Sequence, residues 1–352
     1  MREISNIDAI NLALDEIMAK NEKSVSMGLG HNDPKRIFGT TANLVEKYGD
    51  NRCIEPPTSE NAITGICFGM SLRGYSVCLT HQRFDFSLLS FDQIINSIAK
   101  WSFMFDKDIS TSLLIRLIIG RGWGQGPTHS QSYHSYLASI PGIDVYYPIK
   151  PSDSYKTVVR GMTGGKPTIM IEHRWLHNLR EDQNNLFKET SIDELSLLSK
   201  GDDFTIFTYG YPALEAMKSV EILKKYNISI ELIVSQKVVF ENLDLIINSI
   251  SKTQNLLIVE PYFEECSASS SLFYQLMKRA QLLNINLKSY EIIALPFESE
   301  SSSFFKTSNR YTSWLDISRN ILKKLNFGDD LIIGDLNKNF HDIPGDWFMG
   351  PF

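Results

Sequence analysis

The sequence predicts an α/β protein of two domains, each built on a parallel sheet with helices on both faces, and three observations carry that prediction. Apolar stretches of strand character alternate with amphipathic helical stretches along most of the chain, the pattern of strands joined by crossover helices. The chain has 352 residues, more than a single hydrophobic core usually serves. Between two alternating units, residues 176–200 are polar and without period, as a linker is.

In the first unit Ile7, Ile10, Leu14 and Ile17 recur at helical spacing, with Ser5 or Asn6 available as the cap. A short strand at 25–27 follows, then a helix at 42–48 and a turn at Gly49-Asp50-Asn51. Ser59-Glu60 opens a helix to about residue 73, ended by Gly74. A strand covers 76–80, and Phe91, Ile94, Ile95 and Ile98 mark one long helix reaching Trp101. The apolar run 113–119 reads as a strand and leads into the glycine-rich loop 120–126. A helix at 131–140, a strand at 145–147, a helix at 152–162 and a strand at 168–172 complete the unit. The second unit alternates strands at 204–209, 229–234, 256–260 and 287–293 with helices at 213–226, 243–251 and 269–283. A helix at 314–325 packs last. The domains are therefore 1–180 and 200–325, with a tail at 326–352.

Composition excludes several classes. A net charge of −6 provides no basic field for nucleic acid or an anionic membrane. The apolar run 113–119 is interrupted by Arg116 and is too short to span a bilayer. The first residues are acidic and polar, unlike a targeting presequence. Cys53, Cys67, Cys78 and Cys266 have neither paired nor metal-ligand spacing, so reduced thiols in a cytoplasmic protein are expected.

Familiar short motifs fail. In the loop 120–126 the third glycine of a dinucleotide fingerprint is replaced by Gln125 or Pro127. Gly164-Gly165-Lys166-Pro167 lacks the upstream glycine and the hydroxyl residue of a phosphate-binding loop. His173 and His177 are four apart, but no glutamate follows His173, so no zinc helix is expected.

Three other stretches are hard to explain as generic α/β filler. They are Pro57-Thr58-Ser59-Glu60-Asn61, then Phe84-Asp85-Phe86 with Asp92-Gln93-Ile94-Ile95-Asn96-Ser97 and Ala99-Lys100-Trp101, and finally Thr128-His129-Ser130-Gln131-Ser132. Taken singly, Glu60 suits a helix N-terminus, Phe86 a core position and His129 a helix cap. Together, in order and spacing, they resemble the beta subunit of the thiamine-diphosphate-dependent decarboxylating component of 2-oxo acid dehydrogenase complexes, in the transketolase superfamily. The resemblance runs from about Phe38 to Glu172 and more weakly to about Leu325.

That resemblance implies a pyrimidine-binding transketolase-like domain followed by a smaller transketolase C-terminal domain. It implies that Glu60 bonds the pyrimidine ring nitrogen of thiamine diphosphate and that Phe86 stacks on the ring. Thr58 would lie beside the pyrimidine, and His129 would assist proton transfer. In the family an alpha-type subunit holds the diphosphate and Mg2+ through a Gly-Asp-Gly turn and a later Asn-Asn. Here every Gly-Asp pair continues with Asn, Asp, Leu or Trp, and Asn184-Asn185 has no such turn before it. The cofactor would therefore be shared with a partner chain in an α2β2 assembly.

The chain also departs from the family. His81, Gln82 and Arg83 stand where apolar or small residues are usual, and the glycine loop adds Arg121 and Trp123. Such groups facing a substrate suit a carboxylate or phosphate, although they also read as solvated surface. Gly164-Gly165-Lys166 replaces the residues expected around the family's potassium ion, so none is expected. The tail carries Leu331, Ile332, Ile333, Phe340, Trp347, Phe348 and Phe352, and is expected to pack over the surface that meets an acyltransferase in related chains. Three functions follow: decarboxylation of a 2-oxo acid with acyl or aldehyde transfer, a split transketolase acting on a sugar or sugar phosphate, or a non-catalytic scaffold.

Overall fold

The computed structural model describes residues 2–105, 110–120, 125–307 and 310–327. Arg121, Trp123 and the tail beyond Phe327 lie outside the described residues. The chain divides into two compact units, with the main boundary between Ile192 and Asp193.

Unit 1 contains β1 (Glu3–Ser5), α1 (Asn6–Lys20), β2 (Ser24–Gly28), α2 (Leu44–Tyr48), β3 (Cys53–Ile54), α3 (Glu60–Leu72) and β4 (Ser76–His81). It continues with α4 (Trp101–Met104), β5 (Leu113–Ile119), α5 (His134–Ala138), β6 (Asp144–Tyr146), α6 (Pro151–Thr163), β7 (Thr168–His173) and β8 (Arg180–Asp182). Six of its strands form one parallel sheet in the order β3-β2-β4-β5-β7-β6. Every residue of β4, β5 and β7 is buried, which is why these strands read as continuous runs without a polar face. Ile10, Leu14 and Met18 of α1 and Val158 and Met162 of α6 form one core with Cys78, Leu114 and Met170 of the sheet. Ser5 caps α1 in a reciprocal pair with Asp8, as the sequence allowed.

Two parts of unit 1 differ from expectation. The single long helix ending near Trp101 is instead a 3-10 turn (Phe84–Ser90), a π-helix (Gln93–Ile98) and the short α4. The bond from Ala99 N to Ile94 O, 2.9 Å, spans five residues and rotates the stripe, so Ile94 and Ile98 are buried while Phe91 and Ile95 are only half-buried. Wide turns of this kind recur near functional sites. The polar stretch after residue 176 is also structured: β8 pairs antiparallel with β1, Glu3 opposite Asp182, and Leu186 is buried against Ile4 and Ala9.

Unit 2 contains β9 (Ser196–Ser199), β10 (Phe204–Tyr209), α7 (Pro212–Lys224), β11 (Ile230–Ser235), α8 (Asp244–Thr253), β12 (Asn255–Phe263), α9 (Ala268–Leu282), β13 (Ser289–Leu295), α10 (Phe304–Thr307) and α11 (Trp314–Lys324). Its sheet runs β13-β12-β10-β11-β9, parallel except for β9. Ser313 and Asp316 cap α11 reciprocally, and the Trp314 N–H bonds Glu215 of α7 at 2.8 Å. Among the described residues no helix is long and apolar enough to cross a membrane.

Candidate functional site

The carboxyl ends of the unit 1 strands collect the residues that the sequence singled out. After β3 the chain turns through Pro56-Pro57-Thr58-Ser59 into α3, and Glu60 is the first helical residue. Ser59 makes no side-chain cap, so the first turn draws its negative charge from Glu60 itself. Glu60 is buried, at 7% exposure, yet among the described residues its carboxylate has no hydrogen-bond partner. Thr58, two residues earlier, is exposed.

The 3-10 turn 84–90 is held against α3. The Thr64 hydroxyl lies 2.7 Å from the Glu60 carbonyl and 2.9 Å from the Ser90 hydroxyl, and the Asn61 amide donates to the Leu89 carbonyl at 3.3 Å. Phe84 is fully buried and meets the Tyr133 ring edge-on at 6.2 Å. Phe86 points the other way, 37% exposed. Its ring meets the His129 imidazole edge to face, with centroids 5.6 Å apart at 87°.

Asp85 explains how His129 arrives there. Its Oδ1 accepts from the Gln131 backbone N–H at 3.1 Å and from the Gln131 side-chain amide at 2.9 Å. One buried acid thus ties the segment after β5 to the turn after β4. Sequence reasoning quoted both stretches and missed this link, although an acid in one and an amide in the other were the available signal. The His129 Nδ1 lies 3.0 Å from the Thr128 hydroxyl, which leaves Nε2 as the ring nitrogen for exchange.

His81 does not crowd a substrate approach as expected. It is buried, with Nε2 3.5 Å from Thr64 Oγ1, and burial pushes its imidazole down to about 4, so it carries no charge at neutral pH. Arg83 is half-buried at the start of the 3-10 turn.

Sequence reasoning also missed a buried ion pair beneath this surface. Arg116 on β5 is fully buried, and its Nη2 donates to Glu172 Oε2 of β7 at 2.8 Å and to Thr40 Oγ1 at 2.9 Å. Burial alone would raise Glu172, but the Arg116 guanidinium outweighs it and holds the carboxyl at about 2. Among the described residues no group of three His, Cys, Asp or Glu is placed to hold a metal ion.

The described family of the transketolase pyrimidine binding domain matches residues 2–178, and that of the transketolase C-terminal domain matches residues 193–303. The pyruvate dehydrogenase E1 component subunit beta of Staurastrum punctulatum is 30% identical over 79% of this chain and 85% of its own length. The acetoin:2,6-dichlorophenolindophenol oxidoreductase subunit beta of Cupriavidus necator is 27% identical over 79% of this chain and 85% of its own. The 2-oxoisovalerate dehydrogenase subunit beta of Bacillus subtilis is 29% identical over 77% and 84%. A solved chain described as a split gene transketolase, inactive beta4 tetramer, superposes with a TM-score of 0.73 over 92% of this chain and 99% of that one. Its identity is 14%, a likeness of fold.

Proposed function

Since this chain belongs to the transketolase pyrimidine-binding family, alongside the beta subunits of 2-oxo acid dehydrogenases, we propose that it is the beta half of a two-chain, thiamine-diphosphate-dependent enzyme that decarboxylates a 2-oxo acid. The observation that carries the reading is Glu60, a largely buried residue at the start of α3 whose carboxylate is left open for a ligand, with no hydrogen-bond partner among the described residues. A ring nitrogen able to share a proton is the kind of group that completes it.

Thiamine diphosphate, when bound, supplies the carbanion chemistry that no side chain offers. This chain's part is to bind and orient its pyrimidine end. Glu60 holds the proton shared with the ring nitrogen, Phe86 offers the face of its half-exposed ring, and Thr58 lies on the approach. His129 exchanges protons through Nε2, with its ring braced by Phe86 and by Thr128. The diphosphate and Mg2+ fall to an alpha-type partner chain, because this sequence lacks the residues to grip them. We take the working assembly to be α2β2, with the site completed at the interface. The four free thiols support a reducing compartment, which we take to be the cytoplasm.

The direct test is Glu60→Gln in the reconstituted two-chain enzyme. The amide keeps the volume and the helix start but cannot share the proton. Turnover should fall by about 10²–10⁴, the range for a positioned acid–base group, while the melting temperature stays close to wild type. More than half of wild-type turnover in the variant would reduce Glu60 to a helix cap and overturn the reading.

A further inference from the structure

The candidate site absorbs Glu60, Phe86 and His129 but leaves a cation unexplained. Arg83 leaves β4 at its carboxyl end, and its backbone carbonyl accepts the Phe86 N–H at 3.2 Å. The guanidinium Nη1 is buried and, among the described residues, has no hydrogen-bond partner. Asp85 is the acidic group acting on it, but Asp85 already spends Oδ1 on both N–H groups of Gln131. Arg174, just beyond β7, is also buried, with its guanidinium 4.2 Å over the Phe38 ring. Burial pushes Arg174 down to about 10, and the neighbouring Arg83 charge pushes in the same direction. The two guanidinium charges thus repel one another, and Arg83 keeps a donor without a partner among the described residues.

The carboxyl end of the strands is where an α/β sheet takes its ligands. The chain passes from β2 outward to β3 and returns to β4 on the opposite side of β2. The carboxyl ends of β2 and β4 therefore flank the point where the strand order reverses. The Gln82 side chain donates to the Leu29 carbonyl there and ties the two outgoing loops together. Arg83 is the next residue. A guanidinium fork matches best the groups that present two anionic oxygens side by side, and a ligand without an acceptor would leave Nη1 unpaired.

We infer that Arg83, backed by the charge of Arg174, is an oxyanion subsite that receives a carboxylate or phosphate carried by the substrate away from its reacting carbon. The inference rests on the reading that this end of the sheet faces the substrate. It names the substrate class as one with a second anionic group.

The test is calorimetric titration of the full-length chain, with ionic strength held constant by chloride. Inorganic phosphate is one probe and succinate the other. Saturable binding of at least one is expected, phosphate pointing to a phosphorylated substrate and succinate to a dicarboxylic one. Arg83→Gln should weaken that binding tenfold or more, whereas Lys188→Gln, a change at an exposed position, should leave it unchanged. Arg83→Lys keeps the charge without the fork and should weaken binding less, which keeps the test readable if the glutamine variant does not fold. Binding of neither probe, or an affinity unchanged in whichever Arg83 variant folds, overturns the inference. The titration contains neither thiamine diphosphate nor a partner chain, so its failure leaves the cofactor reading standing.

Discussion

In unit 2 several buried hydroxyl and carboxyl groups close on one another, although Gln236 Oε1, Ser269 Oγ and Asn320 Oδ1 are buried without partners among the described residues. The Thr205 hydroxyl meets Ser249 at 2.6 Å and Thr253 at 2.7 Å, and Tyr209 donates to Glu260 at 2.6 Å. Burial would raise Glu231, but the Lys252 ammonium outweighs it and lowers the carboxyl, in a pair open to solvent on the lysine side. In unit 1 the sheet instead buries an arginine, a glutamate and several histidines, and leaves donors and acceptors unmatched at its carboxyl end. Among the described residues Arg83 Nη1 and His31 Nδ1 are buried without partners, and burial pushes both His31 and His81 down to about 4. Both units leave some buried polar atoms unmatched among the described residues, but unit 1 gathers them beside strongly perturbed histidines. Clustered, perturbed ionisable groups are the physical mark of a functional site, and this is a reason for proposing the site in unit 1.

The contrast can be broken by mutation. Arg116→Met removes one half of a fully buried pair and leaves Glu172 charged in the core, which should cost about 3–5 kcal/mol. Tyr209→Phe in unit 2 removes one hydrogen bond to Glu260, which keeps the Tyr262 N–H at 3.1 Å, and should cost about 1–3 kcal/mol. Urea denaturation of the two variants checks the difference. Equal losses would mean that the ionic core of unit 1 is no more demanding than the hydroxyl network of unit 2.

Acid sharpens the same contrast. His31 and His81 have folded values of about 4 against 6.5 unfolded, so between these values the unfolded chain binds more protons. Their contribution to stability is intact above pH 6.5 and is lost as pH falls through about 4. Two such groups give a slope approaching about 2.7 kcal/mol per pH unit near the middle of that window. Denaturation midpoints between pH 7 and pH 5 measure it, and replacing both histidines by asparagine should flatten the slope. An unchanged slope in the double variant would show that burial does not hold them neutral.

Much of the fold was legible because its strands are buried on both faces and its helices are amphipathic, as in β4, β5, β10 and β12. The proposed site residues were picked out as a pattern, since Glu60, Phe86 and His129 sit in the three short stretches that carry the resemblance. Features set by tertiary contact were not. The three-residue strands β1 and β8 are too short to show a period and exist because they pair with each other. The broken helix at 84–104 follows the attachments of Thr64 and Asn61 to the turn that carries Phe86, which hydrophobic spacing does not encode. Arg116 read only as an interruption of an apolar run, since its partner Glu172 lies 56 residues away in sequence. His81 read as a cation near the substrate because its position on a fully buried strand end is a property of the sheet.

The central claim is that this chain holds only the pyrimidine half of a thiamine diphosphate site. Calorimetry of thiamine diphosphate with Mg2+ tests it most directly, first on this chain alone and then on a mixture with an alpha-type chain that carries the Gly-Asp-Gly and Asn-Asn grip. The account predicts weak or undetectable binding by the chain alone and tight, magnesium-dependent binding by the mixture. Micromolar, magnesium-dependent binding by the isolated chain would contradict it.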